Sequence, residues 1–171
     1  KNTVSAYADV QFNDSVLMTQ ALLRQNITAV NGSIQSYLTY GSGELTTLFS
    51  EVALTSNLTD IDLTVSYVPE TEQSLSIIGS IAPQHVEHLT QLLPEKFLGQ
   101  NTYQYLQSAL AVPEQPGKVT TADILWHGDP AKFPFAKNDG IFQAQINVTD
   151  THFLFAQGWP SLTELSLQLF F

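Results

Sequence analysis

The sequence predicts a mainly β protein of the α+β class, an antiparallel sheet interrupted by two short helices. Three observations carry this. Apolar and polar residues alternate at period two, most cleanly where Ile61, Leu63, Val65 and Tyr67 face one way and Asp62, Thr64 and Ser66 the other, the mark of strands with one buried face. From residue 84 to residue 110 the period changes to three and four, as it does in amphipathic helices. Gly, Pro, Asn and Asp then punctuate the boundaries, each suited to turns for its own backbone reason.

Residues 3–12 form the first expected strand, with Val4, Ala6, Ala8, Val10 and Phe12 on one face, closed by Asn13-Asp14. Residues 16–25 fit either a helical stripe (Leu17, Met18, Ala21, Leu22) or a strand, and the strands on both sides favour the strand. Asn31-Gly32 reads as a hairpin turn, because both residues tolerate the positive φ of a type I′ loop. Gly41-Ser42-Gly43 reads as a further turn, followed by strands over 45–55, 61–68 and 75–81, the last two separated by Pro69, Glu70 and Glu72. From Gln84 to Phe97, Val86, Leu89, Leu92 and Leu93 recur at helical spacing, Pro94 cuts the run, and Gly99 can supply a left-handed cap. Asn101, with Gln104 three residues on, has capping-box spacing for a second helix that Pro113 stops. Residues 114–118 are a polar connector, and 119–126 return to strand.

The last third is the most apolar. Phe142, Ala144, Ile146 and Val148 share one strand face, Phe153 and Phe155 form a shorter run, and Leu165, Leu167, Leu169 and Phe171 a longer one. Asp139-Gly140, Pro130, Pro134 and Gly158 lie between them. The whole chain reads as one segment, 1–171, with a sub-boundary near 82–113 where the helical pair divides strands 3–81 from strands 119–171.

Composition removes several functions. The net charge is −10, from 16 acidic and 6 basic residues, so the basic surface that nucleic acid or anionic headgroups require is missing. There are no cysteines, which removes disulfides, thiol nucleophiles and thiolate metal sites. No apolar run approaches the length of a membrane span. The start at Lys1 and the end at Phe170-Phe171 are expected for a piece of a longer protein.

Catalytic patterns are equally thin. His85 and His88 stand three apart with Glu87 between them, and His127 near Asp129 could add a ligand. That is not the spacing of a metalloprotease helix, and solvated histidines at a helix start are the plainer account. Gly41-Ser42-Gly43 lacks the strand–turn–helix context of a nucleophile elbow. Asp60, Glu70, Glu72, Asp129, Asp139 and Asp150 fall in expected turns. No catalytic residue, metal ligand or cofactor is assigned. Five Asn-x-Ser/Thr sequons, at Asn13, Asn26, Asn31, Asn57 and Asn147, are read as compositional.

The greasy face has two readings. Any one-sided sheet must bury its apolar side, which makes the stripe core. Alternatively the face shelters a lipid, since each methylene withdrawn from water is worth about 0.8 kcal/mol and such a surface needs no catalytic groups.

A resemblance bears on the choice. Leu92-Leu93-Pro94 followed by Tyr105-Leu106 and Ala109-Leu110 resembles a helical pair found in one family. Ala122 to Gly128, Phe133-Pro134-Phe135, Gly140-Ile141-Phe142-Gln143-Ala144, Phe153-Leu154-Phe155 and Gly158-Trp159-Pro160-Ser161-Leu162 then follow in that family's order. Residues 92–171 are thereby similar to the large AsmA-like proteins of the YhdP type in Gram-negative bacteria, while residues 1–80 match in style only. The resemblance implies a non-enzymatic segment whose curved antiparallel sheet forms part of an elongated β-groove. It also implies that the groove is anchored in the inner membrane, crosses the periplasm, and carries phospholipid in support of the outer-membrane barrier. Phospholipid acyl chains are the expected partner, with other envelope proteins as a further class. The alternation, not the family, nominates Phe142, Ala144, Ile146, Val148, Phe153, Phe155, Leu165, Leu167 and Leu169 as groove lining. The competing reading is a structural or interaction module of the envelope, a scaffold or adhesin-like domain without lipid.

Overall fold

The computed structural model describes residues 2–20, 23, 25–83, 85–93, 99–110, 117–156 and 158–170. Eight strands form one open, curved antiparallel sheet in strict chain order. They are β1 (Thr3–Leu17), β2 (Ile27–Gly41), β3 (Glu44–Thr55), β4 (Thr59–Tyr67), β5 (Leu75–Pro83), β6 (Lys118–Gly128), β7 (Gly140–Phe153) and β8 (Leu162–Phe170). Helices α1 (Val86–Leu92) and α2 (Gln100–Leu110) sit in the connection between β5 and β6. Those two strands still pair directly, Leu75 with Gly128 and Gly79 with Ile124. Strands β1 and β8 have no outer partner among the described residues.

Several local expectations give way to the register. Asn31-Gly32 is not a turn: it lies inside β2, with Gly32 opposite Phe12 on one side and Leu54 on the other. Gly32 has φ 119, and a Cβ there would stand 2.1 Å from the Ala53 carbonyl oxygen. The glycine that suits a hairpin also suits a mid-strand kink. The hairpin lies at Ser42-Gly43, φ 58 and 89, between the paired Gly41 and Glu44.

Asn13-Asp14 does not close β1 but forms a bulge, with the register jumping between Phe12 and Ser15 and Asp14 at φ 45. Asn31 stands across from the bulge and holds it: the Asp14 N–H donates to its side-chain oxygen at 3.0 Å. Beyond Leu17 the strand stops. Leu23 N–H donates to the Thr19 carbonyl instead, a turn rather than a ladder. Gly99 precedes α2 rather than ending α1, and its carbonyl accepts from Tyr103 N–H at 3.0 Å. Asn101 therefore falls inside the helix and does not cap it. Phe153 ends β7 itself, past a bulge at Asp150 (φ 55), and Phe155 lies beyond the strand. Expectations placed on Ala21, Leu22, Gln84, Pro94, Phe97, Pro113, residues 114–116 and Phe171 lie outside the described residues.

Two core clusters flank one end of the strands. Val86 and Leu89 of α1 and Leu110 of α2 pack on Ala122, Ile146 and Val148, with Leu167 and Leu169 beside them. Ile27, Val30, Leu54 and Leu58 form the second, joined by Phe12, Ile61 and Leu92. Helix α1 is tied down by Val86 N–H to the Gly117 carbonyl, and α2 by the Ala109 carbonyl accepting from Leu154 N–H. At the other end of the strands, Trp126 stacks on Phe133 with centroids 5.2 Å apart and meets Phe135 and Phe142 edge-on. Gly140 makes room, since a Cβ there would meet the Phe135 ring at 2.4 Å.

Candidate functional site: the apolar face of the sheet

Register converts the separate alternations into continuous rows. Val10, Ile34, Val52, Leu63, Gly79, Ile124 and Ala144 are successive cross-strand partners from β1 to β7. A parallel row runs through Ala8, Ser36, Ser50, Val65, Ile77, Trp126 and Phe142. A third links Ala6, Leu38, Leu48, Tyr67 and Leu75. These side chains share one face because successive residues of a strand point to opposite sides. The only polar pair in the second row, Ser36 and Ser50, satisfies itself by a hydroxyl–hydroxyl bond of 2.8 Å.

Much of this face is uncovered. Leu63, Val65, Ile77, Ile124 and Ala144 are half-buried and belong to neither core cluster. On β5 the face is the more sheltered one: Ile78, on the polar side, is 58% exposed while its neighbour Ile77 is half-buried.

The nine residues nominated from alternation are covered to different degrees. Ala144 lies on the uncovered strip, and Phe142 closes it as part of the aromatic corner. Ile146 and Val148, 8% and 1% exposed, lie beneath the helices, and Phe153, Leu167 and Leu169 pack on the same cluster. Leu165 is half-buried opposite Thr151. Phe155 is exposed past the end of β7, against Trp159 at 5.7 Å. The uncovered residues of β4 to β6, namely Leu63, Val65, Tyr67, Ile77 and Ile124, were each visible as apolar in the sequence. Only pairing reveals that they continue the same face.

The polar side carries an open cleft of about 740 Å³ bordered by Asp62, Ile78, Ser80, Asp123, Leu125 and Phe170. Its carboxylates are exposed. The apolar face, not this cleft, is the surface whose composition demands a covering.

The histidines are dispersed. His85 and His88 meet edge-on at 5.5 Å. His127 is far along β6, bonded to Ser76 through Nδ1 and to Gln73 through Nε2, each at 2.7 Å. Among the described residues no group of three or more His, Asp and Glu could hold a metal ion. No helix among them is long and apolar enough to cross a membrane.

A family model described as YhdP protein matches residues 3–171. The chain belongs to the YhdP family. The match includes the first half, where the sequence motifs had shown only a likeness of style. The intermembrane phospholipid transporter YhdP of Escherichia coli (strain K12) is 29% identical over 100 residues, which is 58% of this chain and 8% of that relative. The segment thus spans a small part of that YhdP protein's length. No solved structure matches the chain.

Proposed function

We propose that this YhdP segment shields phospholipid acyl chains along its apolar face, as one stretch of a longer conduit between the two membranes of a Gram-negative envelope. In this reading the full-length protein is anchored in the inner membrane, crosses the periplasm and supports the outer-membrane barrier, and the segment does no chemistry. One observation carries the proposal: apolar rows cross the sheet from β1 to β7, and on β4 to β7 Leu63, Val65, Ile77, Ile124 and Ala144 lie outside both core clusters, between the helical flank and the aromatic corner. A lipid leaving a bilayer forfeits about 0.8 kcal/mol for each methylene exposed to water. A dry track must therefore be continuous rather than locally deep, and rows perpendicular to the strands supply that continuity.

The lining proposed on this basis is Leu63, Val65, Ile77, Ile124, Phe142 and Ala144. Ile146, Val148, Phe153, Leu167 and Leu169 form the helix-covered flank. The test is organic-solvent extraction of the purified full-length protein followed by mass spectrometry. Phospholipid in stoichiometric amount supports the reading, and a lipid-free protein contradicts it.

A further inference from the structure

The uncovered strip changes width along its course. On β4 it comprises Leu63, Val65 and Tyr67, beyond Ile61, which packs against the second core cluster. On β6 it is reduced to Ile124, because Ala122 lies under the helices and Trp126 belongs to the aromatic corner. On β7 it is reduced to Ala144, between covered Ile146 and Phe142, which packs edge-on in the aromatic corner. Ile124 and Ala144 are direct cross-strand partners.

The width there follows from strand geometry. Four residues separate positions 142 and 146, roughly 13 Å at the usual rise. About 4 Å of carbon–carbon contact distance at each flank leaves roughly 5 Å, the width of one hydrocarbon chain. Both flanks are fixed. Helix α1 is held at its start and α2 at its end by one backbone bond each, and the Trp126 indole donates to the Gly128 carbonyl at 3.1 Å.

Small residues occupy the row at this point. Gly79, opposite Ile124, has a backbone reason, since a Cβ there would stand 2.0 Å from the Asp62 carbonyl oxygen. Ala144 has none: it is an ordinary strand residue with apolar neighbours on both flanks, where a larger side chain would bury more surface if filling a core were its only purpose. From this we infer that Ala144 is the gauge of a constriction in the lipid track, its missing side-chain volume admitting one acyl chain at a time beside Ile124. The inference rests on the lipid-conduit reading and adds a specific narrow point to it.

The experiment measures transfer of fluorescent phosphatidylethanolamine by the purified full-length protein between vesicles of phosphatidylethanolamine and phosphatidylglycerol. Ala144→Trp is expected to slow transfer by roughly ten-fold or more, the scale of an overfilled site, and Ala144→Ile to slow it less. Gln143→Trp, the adjacent position on the polar face, leaves the rate at wild type. The swap Ile124→Ala with Ala144→Ile conserves the combined volume of the pair and restores transfer toward wild type. Each variant is checked by thermal melting, and Ala144→Ile carries the test if Ala144→Trp fails to fold. Wild-type rates for both Ala144 variants, or no recovery in the swap, overturn the constriction while the conduit stands. No transfer by the wild-type protein overturns the conduit reading, and the constriction with it.

Discussion

Replacing Gly79 by alanine tests whether the close approach of β4 fixes the residue in the middle of β5. Gly79 sits mid-strand in β5, opposite Leu63 and Ile124, with φ 148. That region of backbone space is almost closed to other residues and costs about 1–3 kcal/mol to occupy. The added Cβ would also lie 2.0 Å from the Asp62 carbonyl oxygen and 2.9 Å from the Leu63 Cα. Both are backbone atoms of β4, so neither can rotate aside. Relief requires β4 and β5 to part locally, at the loss of about two ladder hydrogen bonds worth roughly 0.5–1.5 kcal/mol each. The sum is about 4 kcal/mol, or a fall in Tm of roughly 8–16 °C for a chain of this size. Urea unfolding followed by circular dichroism reads it directly. Gly43→Ala is the comparison: its φ of 89 is unfavourable, but nothing lies within 4 Å of the new Cβ, so only about 1–2 kcal/mol of backbone strain remains. Equal losses for the two variants would refute the argument that close approach of β4 fixes the residue at position 79.

Two further outcomes follow from the packing and the charges. Val148→Ala removes two methyl groups from a fully buried site under the helices, about 1.6 kcal/mol of transfer energy plus a cavity contribution, so a loss of about 2–3 kcal/mol is expected in denaturant melts. Tyr7 titrates above the ordinary phenol value of 10.0, chiefly because neighbouring groups take water from the ring and then because the Asp9 carboxylate opposes a second negative charge. Its ring meets Tyr37 at 4.9 Å. Because the folded phenol holds its proton longer than the unfolded one, this contribution to stability is present below pH 10.0 and is lost as pH rises through the folded value. Ultraviolet difference titration of Asp9→Asn should bring the Tyr7 transition back toward 10.0.

The strand faces were legible because period two is a local property: Ile61 to Tyr67 and Phe142 to Val148 announce their apolar sides without any knowledge of their neighbours. The helical pair was legible for the same reason. Asn31-Gly32 misled because left-handed tolerance is a permission, and a kink braced by Asn31 against the β1 bulge uses it as readily as a hairpin does. Asn101 misled because Gly99, with a positive φ and a carbonyl that accepts from Tyr103 N–H, stands before the helix two residues earlier than the side-chain pattern suggests. The site was the least legible part. Ile146 and Ala144 are equivalent in alternation, yet α1 and α2 cover one and leave the other bare. That distinction depends on where residues 86–110 settle in space, which no residue of β7 encodes.

In the proposed conduit the apolar face, and not the polar one, meets lipid. A photo-crosslinking residue placed at Ile77 or at Ile78 in the full-length protein in living cells tests it with adjacent positions on opposite faces. Ile78 is the more exposed of the two, so accessibility alone favours capture there. Phospholipid adducts are expected at position 77 and none above background at position 78. Equal capture at both, or capture at 78 alone, would contradict the proposal.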